Sequence, residues 1–342
     1  MSRFTVERTT RTAQAGLGIF VVGLAVLISL PFWAGRADMR LVMEICYFLA
    51  LAQMWNLLAG YAGLVSIGQQ AFVGLGGYAL FVGAIYLGIH PLLCILLAGL
   101  AAALFAVPTA FVVFRLRGAY FAIGTWVVAE VYRLVFAQVS ALGGGSGMSL
   151  PIGIVRDLGS SPLQRDMIFY FICIALAVGT TGLVYWILRA RHGLALTAIR
   201  DSEIASRSLG VDAFRTKFGV YVLVAGITGM VGALIFLLKL RISPDAAFSL
   251  QDWTASVLFI VIIGGIGRIE GPIVGTLVFF ALRGLLADLG SWYLIVLGAL
   301  AVLVMLFAPQ GIWGLVAERL GWHFFPVRRR LKVGGGEAGD PA

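Results

Sequence analysis

The chain has 342 residues, of which 61% are hydrophobic and only 12% are charged. Its mean hydropathy is +0.99. The charged share is about half that of a soluble domain, and a soluble fold of this size cannot hide so much apolar surface in its core. The net charge of +9 raises nucleic acid as a partner. The basic residues, however, lie between apolar blocks and not in one patch, as the rule of positive cytoplasmic loops describes. No nucleic-acid partner is expected, and membrane lipid is the expected surrounding. Cys46, Cys94 and Cys173 all fall inside apolar blocks with neither a disulfide framework nor a metal spacing.

Taken in order, the chain opens with Arg3, Arg8 and Arg11 before an apolar run at 15–33. The run is too long for a signal h-region, and no small-x-small site follows it, so it reads as an uncleaved first helix. Residues 45–114 then carry no formal charge, which is room for three spans of about 20 residues each. Spans are expected at 14–34, 41–59, 66–88, 91–114, 118–139, 166–188, 217–238, 253–264, 272–288 and 292–308. Pro31, Pro91, Pro309 and Arg115-Leu116-Arg117-Gly118 mark ends. The fold class is all-α, a polytopic membrane helical bundle of about ten transmembrane helices.

An even count puts both termini on one side. Seventeen of the 25 Lys and Arg then share that side, six share the other, and Arg133 and Arg283 stay within spans. The bias predicts that both termini are cytoplasmic. The expected layout is an N-terminal tail at 1–13, a membrane domain at 14–310 and a basic C-terminal tail at 311–342, without structure after Phe325. The loop at 140–165 lies outside, and its run of Gly143 to Gly147 is expected to supply flexibility. The loop at 189–216 lies inside and is strongly polar.

Two stretches break the helical pattern at membrane depth, residues 60–70 and 264–272. Irregular backbone there must be buried in protein or line a cavity, because lipid cannot satisfy its polar groups. The first, with Asn56, Ser66, Gln69 and Gln70, is expected to be such a break beside the substrate pathway. The second is expected to be an interfacial turn. Glu130 and Arg133 are three apart and share a helix face. Each charge within a span costs about 2.5–3.5 kcal/mol on the insertion scale, so they must pair or face water. They are read as a structural pair, with contact to the charged ends of a solute as the sharper alternative. Glu44 and, near a span end, Asp288 are the other acids of the spans. Arg36, Arg40, Arg156, Arg165, Lys239 and Arg241 face outside, as ordinary solvated charge or as contacts for acidic patches on a partner.

Several devices are missing from the sequence. It has no phosphate loop of the Gly-x-x-x-x-Gly-Lys-Ser/Thr kind and no Gly-x-Ser-x-Gly nucleophile motif. His90, His192 and His323 are scattered without carboxylate or cysteine partners. No enzyme activity, cofactor or metal is expected, and the intramembrane acids are too few for a proton relay.

The inner loop is the most informative segment. Asp201 or Ser202 can cap a short helix, and Gly210 can end it in the left-handed conformation. Between them, Ile204, Ala205, Ser208 and Leu209 form a small half-apolar face, flanked by Arg200 and Arg207. Such a helix can dock in a groove of another protein or rest on the lipid surface.

This loop resembles the Glu-Ala-Ala loop of ABC importer permeases, with Glu203, Ala205 and Gly210 in matching places. Residues 56–78, with Asn56-Leu57-Leu58 and Gly60-Tyr61-Ala62-Gly63-Leu64, are similar to the first signature of the branched-chain amino acid permeases of LivH/LivM type. Phe114-Arg115-Leu116-Arg117-Gly118-Ala119-Tyr120-Phe121 resembles the marker of the LivM-like member. Glu130-Val131-Tyr132-Arg133, residues 199–210 and residues 264–275 follow in order, so the resemblance covers about 41–308. It departs at Gln69, where the family usually has His, and at Leu142-Gly143-Gly144, where it has Thr-Gly-Gly.

The resemblance implies a permease subunit in a bacterial inner membrane. Its implied partners are a second permease of the same family, two ATP-binding-cassette ATPase subunits and a periplasmic or lipid-anchored solute-binding protein. Glu203, Ala205, Arg207 and Gly210 become the expected ATPase contact. Urea, short amides and aromatic or carboxylic acids are alternative solutes in the same machine. A stand-alone secondary transporter, with broken helices at corresponding positions of two halves, is the lesser alternative.

Overall fold

The computed structural model describes residues 4–7, 11–159, 161–286, 292–320, 324–325 and 330–333. The membrane helices run back and forth in the expected order. They are α1 (Arg11–Ser29), α2 (Arg36–Asn56), α3 (Gln69–Ile85), α4 (Pro91–Val113) and α5 (Ala119–Gln138), then, after the short α6 (Ile152–Asp157), α7 (Pro162–Arg189). A loop pair, α8 (Arg191–Asp201) and α9 (Glu203–Ser208), leads to α10 (Ala213–Lys239). The short α11 (Pro244–Ala247) precedes α12 (Ser256–Gly264), α13 (Glu270–Leu285), α14 (Trp292–Phe307) and α15 (Gly311–Leu320). Among the described residues, seven segments are long and apolar enough to cross a membrane. Shorter apolar helices stand in α1 and α3, and α13 occupies the ninth expected place. Asp288, Arg3, Arg8, Arg328, Arg329 and His323 lie outside the described residues.

Boundaries shift where polar residues begin a helix. α7 starts with Ser161 accepting from the Gln164 amide and Pro162 in the first turn, and α10 starts with Asp212 accepting from the Arg215 amide. Hydropathy alone begins both spans later, because these first turns are polar. The eighth span gains most, since α11, a π-helical turn at Leu250–Ala255 and α12 together cover Pro244–Gly264. Conversely, α3 starts only at Gln69, because residues 62–68 are not helical.

α10 is the central pillar, packed on α3 and α4, while α2 packs on α7. The α10 contacts run along a seam of small residues. A Cβ added to Gly76 of α3 would collide with the Gly229 carbonyl, and one on Gly229 would meet Ala102 of α4 and the Ala98 carbonyl. Between membrane helices the apolar driving force is weak, so close backbone approach and dispersion hold them together. By contrast α4, α5 and α14 expose large apolar residues, Leu100, Leu104, Tyr120 and Phe307 among them.

Two small antiparallel strand pairs mark the ends of the bundle. β1 (Phe4–Glu7) pairs with β4 (Arg330–Val333), so both chain ends meet at one end. One expectation for the C-terminal tail, that it lacks structure after Phe325, is corrected here. Its first segment is α15, whose Trp313 and Ala317 are buried, because that helix has an apolar face to bury. Its basic stretch supplies a strand, because the N-terminal segment offers a backbone to pair with.

At the opposite end, β2 (Met148–Ser149) pairs with β3 (Arg241–Ile242). The flexibility expected of Gly143 to Gly147 is also corrected. The run follows a 3-10 turn at Ser140–Leu142 and forms another at Gly144–Ser146, and Gly147 lies against the Ile242 carbonyl and Ser243. Tight backbone packing explains those glycines better than slack.

Gly76→Val is expected to lower the thermal midpoint of the detergent-solubilised chain. Overpacking a core costs about 1–3 kcal/mol, and the obstacle here is backbone that cannot rotate aside. An unchanged midpoint would show that α3 is not seated on α10 in this way.

Candidate functional site: two chain breaks and the loop that touches them

The two irregular stretches, more than 200 residues apart, meet in space. Asn56, fully buried near the end of α2, bonds both ways to the second stretch. Its Oδ1 accepts from the Gly267 amide at 2.8 Å, and its Nδ2 donates to the Arg268 carbonyl at 2.8 Å. One turn back, Gln53 Nε2 donates to the Ile269 carbonyl at 2.9 Å. Gly267 adopts φ +74°, a left-handed conformation suited to glycine. A Cβ on Gly60 would stand only 2.6 Å from the Gly267 nitrogen, so the two backbones need glycine on both sides.

The first break is secured with equal care. α2 ends in a π-helical turn at Leu57–Tyr61, and the chain then runs without helix to Gln69. Trp55 Nε1 donates to the Ser66 carbonyl at 2.8 Å, and the Ile67 amide donates to Thr125 Oγ1 of α5 at 3.0 Å. Gln69 Nε2 reaches the Leu51 carbonyl at 3.0 Å. The Gln70 amide donates to Thr254 Oγ1 at 3.2 Å, and that hydroxyl donates on to Gln70 Oε1. These backbone groups freed by the break thus gain protein partners where lipid offers none. Gln69 Oε1 has no hydrogen-bond partner among the described residues. Ser66 and Gln69 line a small cavity with Trp55, Leu58, Phe72 and Tyr221.

Of the residues named as pathway candidates, Asn56, Ser66, Gln69 and Gln70 therefore cluster. Glu130 and Arg133 do not join them. They sit at the other end of the bundle, where Arg133 bonds Glu130 at 2.6 Å and Asp245 of α11 at 2.6 Å. All three are partly exposed, so the pair anticipated from spacing is an open bridge from α5 to α11. Arg283 and Glu44, the other charges of the spans, pair with each other at 2.6 Å. Several outward cations are likewise engaged within the chain. Arg36 bonds Asp166 at 2.6 Å, and Lys239 lies 4.7 Å from the centre of the Trp253 ring. Among the described residues no group of three or more His, Cys, Asp or Glu is placed to hold a metal.

The loop helices lie at the end of the bundle that carries the chain termini. Of the two capping candidates, Ser202 is the one that serves, its Oγ accepting from the Ala205 amide at 3.3 Å. Gly210 adopts φ +83° as the end of α9 requires. Ile204 and Leu209 project outward, 84% and 80% exposed. Glu203 and Arg207 point along the loop instead. Glu203 accepts from Arg207 at 2.6 Å and from Lys217 of α10 at 2.6 Å, and the Lys217 hydrogen bond holds its carboxyl below the usual range. Ala205, Arg207 and Gly210 remain at the surface.

Sequence reasoning passed over Arg200. Placed there as a flank of the docking face, it stays partly exposed yet donates from Nη1 to the Gly60 carbonyl at 2.9 Å. Gly60, Gly267, Thr125 and Thr254 were also missed as parts of the site. The glycine pairs within the two breaks were the available signal, but nothing in one dimension paired them.

Residues 39–307 match the family described as "Branched-chain amino acid transport system / permease component". The chain is 29% identical to the high-affinity branched-chain amino acid transport system permease protein LivM of Escherichia coli K12, over 88% of this chain and 76% of the relative. It is 28% identical, with the same coverage, to LivM of Salmonella typhimurium. A probable LivM of Methanocaldococcus jannaschii is 23% identical over 68% of each chain. No solved structure matches.

Two measurements test this geometry. Asn56→Ala orphans the Gly267 amide and the Arg268 carbonyl, each at about 1–3 kcal/mol. It is expected to lower the thermal midpoint roughly twice as far as Thr125→Val, which orphans one amide; equal shifts would deny Asn56 its double role. Because the Glu203 carboxyl is held low, its links to Lys217 and Arg207 persist above the ordinary carboxylate range and are lost as pH falls through the lowered value. A nitroxide label at Ser208→Cys is expected to gain mobility on that acid side, and Glu203→Gln to be mobile at every pH. A label whose mobility ignores both changes would show that the links do not order α9.

The match over most of the membrane-spanning region, the LivM relatives and the seven spanning segments with their shorter apolar companions agree: the chain belongs to the branched-chain amino acid transport permease family and is LivM-like.

Proposed function

We propose that this chain forms part of the translocation pathway of an ATP-driven importer for branched-chain amino acids. Its partners are a second permease of the family, two ATPase subunits and an external solute-binding protein. The end carrying both termini and the loop of α8 and α9 faces the cytoplasm. The excess of Lys and Arg on that end supports the assignment.

The observation that carries the reading is the form of α9. It is a capped, six-residue helix that holds Ile204 and Leu209 in solvent while Glu203 is tied back to Lys217. Exposed aliphatic residues at the tip of a polar loop are poorly placed for lipid and well placed for a groove in an ATPase. Ala205, Arg207 and Gly210 border that contact, and Glu203 sets its angle. On the membrane side, Ser66 and Gln69 border the solute path, whereas Asn56 and Gln70 hold the break in shape. The two breaks follow the second and eighth spans, which do not correspond in a division into two fives. That disfavours a stand-alone secondary transporter built from such halves. Gln69 in place of the family's usual His makes urea, amides and aromatic or carboxylic acids necessary competitors in any solute assay.

The test is uptake into proteoliposomes that contain the chain, its partner permease and the ATPases, supplied with loaded binding protein. Labelled leucine is expected to enter only with ATP. Ile204→Asp combined with Leu209→Asp is expected to abolish both ATPase co-purification and uptake, with the chain's thermal midpoint unchanged. Uptake by the chain without ATPases would overturn the proposal.

A further inference from the structure

We infer that Arg200 is a positioning residue for energy coupling, the direct link between the loop helices and the broken end of α2. The inference rests on the import reading above and adds to it where the loop's movement enters the membrane domain.

α8 and α9 touch the bundle through few buried groups, and most of α9 stands in solvent. Arg200, in the last turn of α8, is where this loop reaches the first break. Its Nε and Nη2 both donate to Asp201 Oδ1, at 3.1 and 3.0 Å, which fixes the plane of the guanidinium. The remaining edge then donates to the Gly60 carbonyl at 2.9 Å. Gly60 lies in the last turn of α2, where carbonyls lack helical partners and the helix dipole favours a cation. The stem of Arg200 also covers Gly63, whose open Cβ position lies 3.5 Å from Arg200 Cγ.

Gly60 is itself pressed against Gly267, with no room for a methyl group between them. Behind it on α2 stand Asn56 and Gln53, which hold residues 267–269, and Trp55, which holds Ser66. A displacement of Gly60 therefore carries both chain breaks with it. Pulling α8 outward draws on the Gly60 carbonyl and shifts the end of α2, and with it the cavity beside Gln69. A purely apolar contact would slide instead. A charge-assisted hydrogen bond to a backbone carbonyl transmits tension in a set direction.

The experiment compares solute taken up per ATP hydrolysed in the complete reconstituted importer. Wild type, Arg200→Lys, Arg200→Gln and Arg200→Ala are measured with and without loaded binding protein. Arg200→Ala is expected to assemble and hydrolyse ATP at its unstimulated rate. Its uptake per ATP should fall at least tenfold, and stimulation by the binding protein should disappear. Arg200→Lys and Arg200→Gln, which each keep a donor for the Gly60 carbonyl, should recover part of the ratio. If Arg200→Ala does not assemble, the graded response of the other two against wild type decides the question. An unchanged ratio in all variants overturns the inference. So does a proportional loss of uptake and hydrolysis that Lys does not rescue, since that marks a role in folding or docking alone. Wild-type uptake that needs no ATPase defeats the import reading itself, a result distinct from either.

Discussion

A chain that leaves helical geometry inside a membrane must find a protein partner for every amide and carbonyl it frees. That constraint organises this molecule. Residues 62–68 and 265–269 are the places where the backbone leaves the helix among apolar neighbours. Both are satisfied by polar side chains of the helices around them. Asn56 binds Gly267 and Arg268, Gln53 binds Ile269, Trp55 binds Ser66, and Thr125 and Thr254 bind the amides of Ile67 and Gln70. The uncharged polar side chains buried in α2 and α3 owe their place to this need. They are not scattered exceptions to an apolar core, because nearly all of them serve one junction.

The same junction demands small residues. Gly60 and Gly267 touch backbone to backbone, and Gly264, Gly271 and Gly275 let α12 and α13 approach as a close hairpin. The Gly76–Gly229 contact does the same for α3 against α10. Where helices meet with so little side chain between them, dispersion contacts are dense and the fit is stiff. Helices that meet neighbours through larger residues, such as α5 and α14, leave their apolar side chains outward for lipid or another subunit. The stiff part of the bundle is thus the part that holds the breaks, and the loop of α8 and α9 is anchored to it at Arg200.

Charge is used sparingly and in pairs. Within or beside spans, Glu44 with Arg283 and Glu130 with Arg133 and Asp245 close on each other at 2.6 Å. A lone charge would be costly there, and pairing lowers that cost. In the loop, the pairing of Glu203 with Lys217 has a different effect. It ties the acidic residue back to α10 and leaves Ile204 and Leu209 as strongly exposed aliphatic side chains of the loop. That inverts the emphasis a motif gives, since Glu203 is the most recognisable residue of the segment and Ile204 and Leu209 are the most available.

Much of this was legible in the sequence. Long uncharged runs placed most of the apolar segments, because spanning lipid requires length and apolarity that few other structures need. The capped loop helix was legible from Ser202 and Gly210, since capping is decided by near neighbours along the chain. That the two glycine-rich breaks deserved attention was also legible, from Asn56 and Gln70 beside the first. Helix starts at Ser161 and Asp212 were not, because hydropathy ignores polar first turns. Tertiary structure alone decided that Asn56 reaches Gly267, that Arg200 reaches Gly60, and that Arg133 finds Asp245 as well as Glu130. The physical reason is separation: these partners lie more than 100 residues apart. Periodicity and capping act over a few residues, so only the packing of α2, α8 and the turn after α12 against one another could select which unsatisfied backbone group each side chain would serve.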